Sequence, residues 1–135
     1  MNSPEKAPDR ALMQEVLNAW ATLNPASVAQ FYASGQNIFF DVDARYESWE
    51  QYQQGAARLL ANYQAATSTV SDDARIYAAG QYAWGTATVR FDMTRHSGQH
   101  DMGNMRWTVV WKEQNGKWLI VHEHGSMPLA VKPES

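Results

Sequence analysis

The sequence predicts an α+β fold, three N-terminal helices packed on a mainly antiparallel sheet. Three observations carry this. Apolar residues recur at three- and four-residue spacing in the first half of the chain. From Ala66 onward the pattern changes to strands separated by Gly-containing turns. Those strands are adjacent and joined by short turns, which favours antiparallel pairing over crossovers, with helices gathered on one face.

The first helix is expected from about Pro8 to Leu23, where Leu12, Val16, Ala19, Trp20 and Leu23 make one apolar stripe. Ser3-Pro4 and Asp9 both offer a start. Asn24-Pro25 reads as a cap with proline at the first helical position, opening a short second helix to Ala33 that carries Val28, Phe31 and Tyr32. Ser34-Gly35 ends it. Asn37 to Val42 reads as a strand. Ser48 with Gln51 forms a capping box for a third helix from Trp49 to Asn62. Gly55 inside that helix costs about 1 kcal/mol relative to Ala, and a close approach by another backbone would explain it. Thr67–Ser71, Asp73–Ala79, Tyr82–Thr94, Asn104–Glu113 and Trp118–Ser126 are the later strands, punctuated by Ala79-Gly80, Ser97-Gly98 and Asn115-Gly116.

Composition narrows the function classes. At 135 residues the chain is the size of one domain, expected over residues 1–135 with 1–7 frayed and 127–135 a tail. Such a length buries roughly two-thirds of its unfolded surface, so no metal or disulfide is required for folding. There is no cysteine, which excludes disulfides, cysteine zinc sites and thiol nucleophiles. Net charge is −3 with no basic cluster, so nucleic acid is not an expected partner. The polar first ten residues lack the apolar core of a signal peptide, and no apolar run approaches the roughly 20 residues of a membrane span. The expectation is a cytoplasmic protein without membrane contact. Phosphate-binding glycine loops, nucleophile elbows and nucleotide fingerprints are absent, and no cofactor or metal is expected.

The hairpin Arg106 to Ser126 holds most of the chemistry, and its turn decides which residues share a face. A two-residue turn would give Asn115 and Gly116 positive φ and oppose Gln114 to Lys117. A three-residue turn with Gly116 as a left-handed bulge would oppose Glu113 to Lys117 and Arg106 to His124. The second register is favoured. It puts Arg106, Thr108, Val110, Ile120, His122, His124 and Ser126 on one face, and Trp107, Val109, Trp111, Leu119, Val121 and Glu123 on the other. The polar face would turn inward to line a cavity. The face carrying Trp107, Val109 and Trp111 would be left exposed, and a homodimer would cover it.

The segments Arg106-Trp107-Thr108-Val109-Val110-Trp111, Asn115-Gly116-Lys117-Trp118 and His122-Glu123-His124-Gly125-Ser126 together resemble the ending of SnoaL-like domains. These belong to the nuclear transport factor two-like superfamily, with ketosteroid isomerases, scytalone dehydratase and the kinase II association domain. The opening, with Trp20, Phe31-Tyr32 and Phe39-Phe40-Asp41, is similar too. The resemblance implies a cone-shaped fold in which helices close over a strongly bent sheet and leave one pocket, and a homodimer formed through the sheet. It implies function more weakly, because the superfold hosts isomerases, dehydratases, cyclases and non-catalytic modules.

The candidate ligand-binding residues are Trp20, Tyr32, Asp41, Tyr46, Trp49, Arg106, Thr108, His122 and His124, with Tyr52 and Trp84 as further aromatic walls. Pointing inward, Arg106 would bind a carboxylate, enolate or phosphate. Its alternative is an internal salt bridge to Asp41, Asp43 or Asp92. His122 and His124 share a strand face. They read as general acid–base groups, as metal ligands if His96, His100 or a carboxylate joined them, or as structural hydrogen-bonding residues. Asp41 follows two phenylalanines and suits a general base unless Arg106 pairs with it.

The function expected is a pocket for a small, partly apolar organic molecule, with anionic character where Arg106 meets it. The implied chemistry is cofactor-free isomerisation, dehydration or cyclisation, with His122, His124 or Asp41 moving the proton. The alternative is a non-catalytic homo-oligomerising assembly or sensory module, similar to the kinase II association domain.

Overall fold

The computed structural model describes residues 6–130 and 133–134. Helix α1 spans Arg10–Trp20 and buries Met13, Val16 and Leu17. Asp9 starts it, its carboxylate accepting from the Leu12 N–H at 2.9 Å. The other candidate start, Ser3-Pro4, lies outside the described residues, as does most of the segment expected to fray. Gln14 bonds both the Ser68 carbonyl (2.9 Å) and the Val70 N–H (2.8 Å). This ties α1 to a strand edge that would otherwise present unpaired backbone.

The second helix does not form as an α-helix. Asn24 caps as expected, accepting from the Ala26 N–H at 3.1 Å. Beyond the cap the chain makes two 3-10 turns, Pro25–Ser27 and Ala29–Phe31. The segment is too short to nucleate a helix alone. Tertiary contacts pull it straight: Tyr32 bridges to Ile120, and the Ala33 N–H bonds the Ile120 carbonyl at 2.9 Å. The described residues therefore hold two α-helices rather than three.

Strand β1 (Gln36–Phe40) pairs with an unanticipated β2 (Arg45–Ser48). Ser48 then caps α2 (Trp49–Leu60), accepting from the Gln51 N–H at 3.1 Å. Gln51 returns the bond one residue early, to the Glu47 N–H at 3.0 Å. Gly55 is where Tyr46 crosses α2, and any Cβ would collide with the tyrosine ring and hydroxyl. The approaching group is a side chain, not the backbone expected.

The remaining strands are β3 (Tyr63–Val70), β4 (Arg75–Ala79), β5 (Tyr82–Arg95), β6 (His100–Gln114) and β7 (Lys117–Ser126). They form one curved, unclosed sheet in the order β2-β1-β7-β6-β5-β3, with β4 also pairing β5. All pairs are antiparallel except β1 with β7. The helices cover one face. No helix among the described residues is long and apolar enough to cross a membrane.

The β6–β7 turn corrects the favoured register. Asn115 (φ 54°) and Gly116 (φ 80°) both take positive φ, and Gln114 opposes Lys117, so the turn has two residues. A bulge then interrupts the ladder, because Trp111 opposes Ile120 while Val110 opposes His122, leaving Val121 extra. Past the bulge, Arg106 opposes Ser126 and Thr108 opposes His124. The polar residues do share a face, but it is the one turned away from the helices. Trp107, Val109 and Trp111 are 3%, 0% and 1% exposed beneath the helices, so they are core and not a dimer surface. The physical reason is area: two tryptophans and a valine remove far more apolar surface from water than the polar set could.

Candidate functional site

A cavity of about 170 Å³ lies between α1, α2 and the inner face of the sheet. Its wall is mostly apolar, with Leu17 and Trp20 from α1, Leu60 from α2, and Val89, Phe91 and Trp107 from the strands. Four polar side chains interrupt it: Asp41, Tyr52, Ser68 and Glu123.

Glu123 is the centre of the site. The bulge at Val121 turns it inward, and it is 5% exposed. A buried carboxylate must be hydrogen-bonded. The Tyr32 hydroxyl donates to Oε1, and the Tyr52 hydroxyl donates to Oε2 at 2.7 Å. The Trp20 indole N–H in turn donates to the Tyr32 oxygen at 3.1 Å. Tyr32 stacks on Trp49 at 4.5 Å and Tyr52 on Tyr46 at 5.1 Å, so both rings are held from behind.

Burial pushes the Glu123 carboxyl up to about 7. The two tyrosine hydroxyls and the Trp107 indole oppose the rise, and the charge of Asp41 adds to it. Burial and the neighbouring carboxylate hold Tyr32 and Tyr52 well above the usual tyrosine range, so both remain proton donors. Burial also raises Asp41, against a hydrogen bond from the Val42 N–H, with Asp43 adding to the rise. The Asp41 Oδ1 accepts that bond at 2.8 Å. Glu123 can therefore hold and release a proton near neutrality, with Asp41, also raised by burial, lining the same cavity.

Of the candidates, Trp20, Asp41 and Tyr52 line the cavity. Tyr32 reaches Glu123, while Tyr46 and Trp49 support the tyrosines. Arg106, Thr108, His122 and His124 lie on the opposite face of the sheet and do not meet the cavity. His122 Nδ1 donates to the Ile38 carbonyl at 2.7 Å, and His124 packs on Phe40 at 5.3 Å. Arg106 is exposed and cannot pair with Asp41 through the sheet. His96 and His100 bond the Ala61 carbonyl and Asp92 near the β5–β6 turn. Among the described residues no three His, Asp or Glu side chains converge to hold a metal. Trp84 is 47% exposed and stacks on Tyr77, not on the cavity.

Glu123 is hidden from sequence reasoning because strict alternation puts His122 and His124, not Glu123, on the face of Ile120. The only signal is a carboxylate on the strand face assigned to Trp107, Val109 and Trp111.

The chain matches the SnoaL-like domain family model over residues 10–130. Among solved structures, a nuclear transport factor 2-like superfamily protein from Salmonella enterica serovar Typhimurium is similar, with 20% identity and a TM-score of 0.79 over 91% of this chain and 93% of that one. A candidate calcium/calmodulin dependent protein kinase II association domain from Xanthomonas campestris shares 24% identity at a TM-score of 0.77, covering 96% of this chain and 97% of that one. A candidate dehydratase of the NTF2-like family from Streptomyces avermitilis shares 13% at a TM-score of 0.75, covering 90% and 95%. No curated protein matches. At these identities the structural likeness speaks for the fold, while the family model covers most of the chain: it belongs to the SnoaL-like domain family and has the NTF2-like fold.

Proposed function

We propose that this chain binds a small, mainly apolar organic molecule in the cavity and moves a proton on it without a cofactor. The carrying observation is Glu123, a buried carboxyl with a pKa near neutrality, sharing a mostly apolar wall with Asp41. Asp41 is the base in this reading. Glu123, with Tyr32 and Tyr52 bonded to it, stores or returns the proton. Isomerisation, dehydration and cyclisation all need such a relay, and the candidate dehydratase among the structural neighbours is in keeping with it. Arg106 takes no part, being on the far side of the sheet.

The cavity is close in size to the roughly 150 Å³ apolar cavity that suffices for benzene. Saturating benzyl alcohol is therefore expected to raise the melting midpoint by several degrees, as about 2.7 kcal/mol of linkage at 100 times the dissociation constant would do. Ala66→Phe, which fills the cavity from a partly exposed strand position, is expected to abolish the shift. A parent protein that no single-ring compound stabilises would overturn the reading.

The outer sheet face supports a homodimer within the same proposal. Tyr77, Tyr82 and Trp84 are 52%, 49% and 47% exposed. Tyr77, Trp84, Val110 and His122 form one row across β4, β5, β6 and β7. A patch of this kind, rimmed by Arg75 and Lys112, fits a self-complementary contact, and the likeness to an association domain agrees. Trp84→Glu is expected to convert a dimer to a monomer in light scattering, and a monomeric parent would count against it. An assembly module would need only this face. It leaves two carboxylates in an apolar cavity without a purpose, which is why the pocket reading comes first.

A further inference from the structure

We infer that the ligand of this cavity is a cation, a small apolar amine whose ammonium group sits between Asp41 and Glu123. The inference rests on the pocket reading above and narrows it. It replaces the anionic ligand expected from Arg106.

The charge of the wall points to a cation. Among the described residues no Lys, Arg or His lines the cavity, while two carboxylates do. An anion would meet two like charges and nothing to neutralise it. The donors and acceptors are matched to a cation as well. The Tyr32 and Tyr52 hydroxyl protons are committed to Glu123, and the Trp20 N–H is committed to Tyr32. Few donors remain for an anionic or carbonyl ligand. Acceptors remain, because a carboxylate has about four lone-pair sites and Tyr32, Tyr52 and the Trp107 indole occupy three of those on Glu123. Asp41 Oδ1 holds the Val42 N–H, and its other oxygen takes no hydrogen bond among the described residues. An ammonium brings three donors and no acceptor, which is the complement of this wall.

Space is left for the group. Glu123 and Gly125 are two apart on one strand face, about 7 Å along the strand. A Cβ on Gly125 would lie 3.1 Å from the Met105 sulfur and 3.6 Å from Asp41 Oδ1. Gly125 thus lies beside Asp41 on the strand face that carries Glu123, and all three line the cavity. Trp20, Tyr52 and Trp107 line the same cavity, and their ring faces attract a cation as well as an apolar body. The free protein holds both carboxyls above their usual range, which is the state a buried positive charge would relieve.

Titration calorimetry at pH 7 with benzylamine, benzyl alcohol and benzoate holds the ring constant and changes only the charge. Benzylamine is expected to bind at least about tenfold more tightly than benzyl alcohol, the advantage of a charge-assisted bond over a neutral one. Benzoate is expected not to bind. In Asp41→Asn the preference should fall to near unity while benzyl alcohol still binds, which also shows that the variant is folded. Benzyl alcohol or benzoate binding as tightly as benzylamine overturns the inference and leaves the pocket reading standing. A preference that survives Asp41→Asn removes Asp41 from the site and overturns the placement between the two carboxylates. Failure of all three compounds removes the pocket reading as well.

Discussion

Replacing Trp111 with alanine is expected to lower the unfolding free energy by about 3–5 kcal/mol, the range for deleting a large buried aromatic side chain. Trp111 is 1% exposed and among the largest fully buried side chains of the chain. It sits opposite Ile120 on β7 and Ala83 on β5, and a Cβ on Gly85 would lie 3.2 Å from its ring. No small rearrangement can fill the space it would leave. The measurement is urea unfolding at two protein concentrations, with light scattering alongside. The loss should be the same at both concentrations, and the oligomeric state should not change. A variant that keeps the stability of the fold but dissociates would mean that Trp111 faces a partner, returning the sheet to the orientation first expected from the sequence.

Stability is also expected to fall by on the order of 3 kcal/mol as pH rises from about 4.5 to about 7, from Glu123 alone. Its folded pKa is about 7 against an ordinary value of 4.5. The folded chain therefore binds the proton more tightly than the unfolded chain does. The contribution is fully present below pH 4.5 and is lost as pH rises through 7. Asp41 is raised as well and adds in the same direction. Asp9 has the opposite sign. Its carboxylate is lowered by the Leu12 N–H and Lys6, so the stability it lends to α1 is lost as pH falls through the lowered value, below the ordinary 3.8. Maximum stability should lie on the acid side of neutrality. Glu123→Gln keeps the shape and can still bond both tyrosines, so its unfolding free energy should fall much less between pH 4.5 and 7, leaving only the slope that Asp41 contributes. A variant with the parent's slope would show that Glu123 does not titrate in this window.

Most elements were legible because their signals are local. The caps at Asp9, Asn24 and Ser48, the turn at Asn115-Gly116 and the long β-rich runs each act over a few residues. The exceptions are segments whose state is set elsewhere. Arg45-Tyr46-Glu47-Ser48 has one apolar residue and no strand signature of its own, and it is a strand only because β1 pairs with it. Residues 25–31 carry helix caps, yet contacts of Tyr32 and Ala33 with β7 draw the chain out before a helix can develop. That Trp20 and Asp41 would line the cavity, with Tyr32 beside its polar centre, was legible from their place on apolar elements. Glu123 was not.

By itself the sequence determined the α+β class, the caps at Asn24 and Ser48, the antiparallel hairpins and the set of residues that travel together along β6. Side-chain alternation is a local property with a period of two, so Arg106 and Thr108 were bound to share one face and Trp107, Val109 and Trp111 the other. Which face turns inward is a property of the whole molecule, settled by the apolar area that α1 and α2 can cover. The bulge at Val121 is of the same kind. One extra residue exchanges His122 and His124 for Glu123 at the cavity wall. Nothing local marks it, because it reconciles a two-residue turn at one end of the hairpin with the burial of Trp107 at the other.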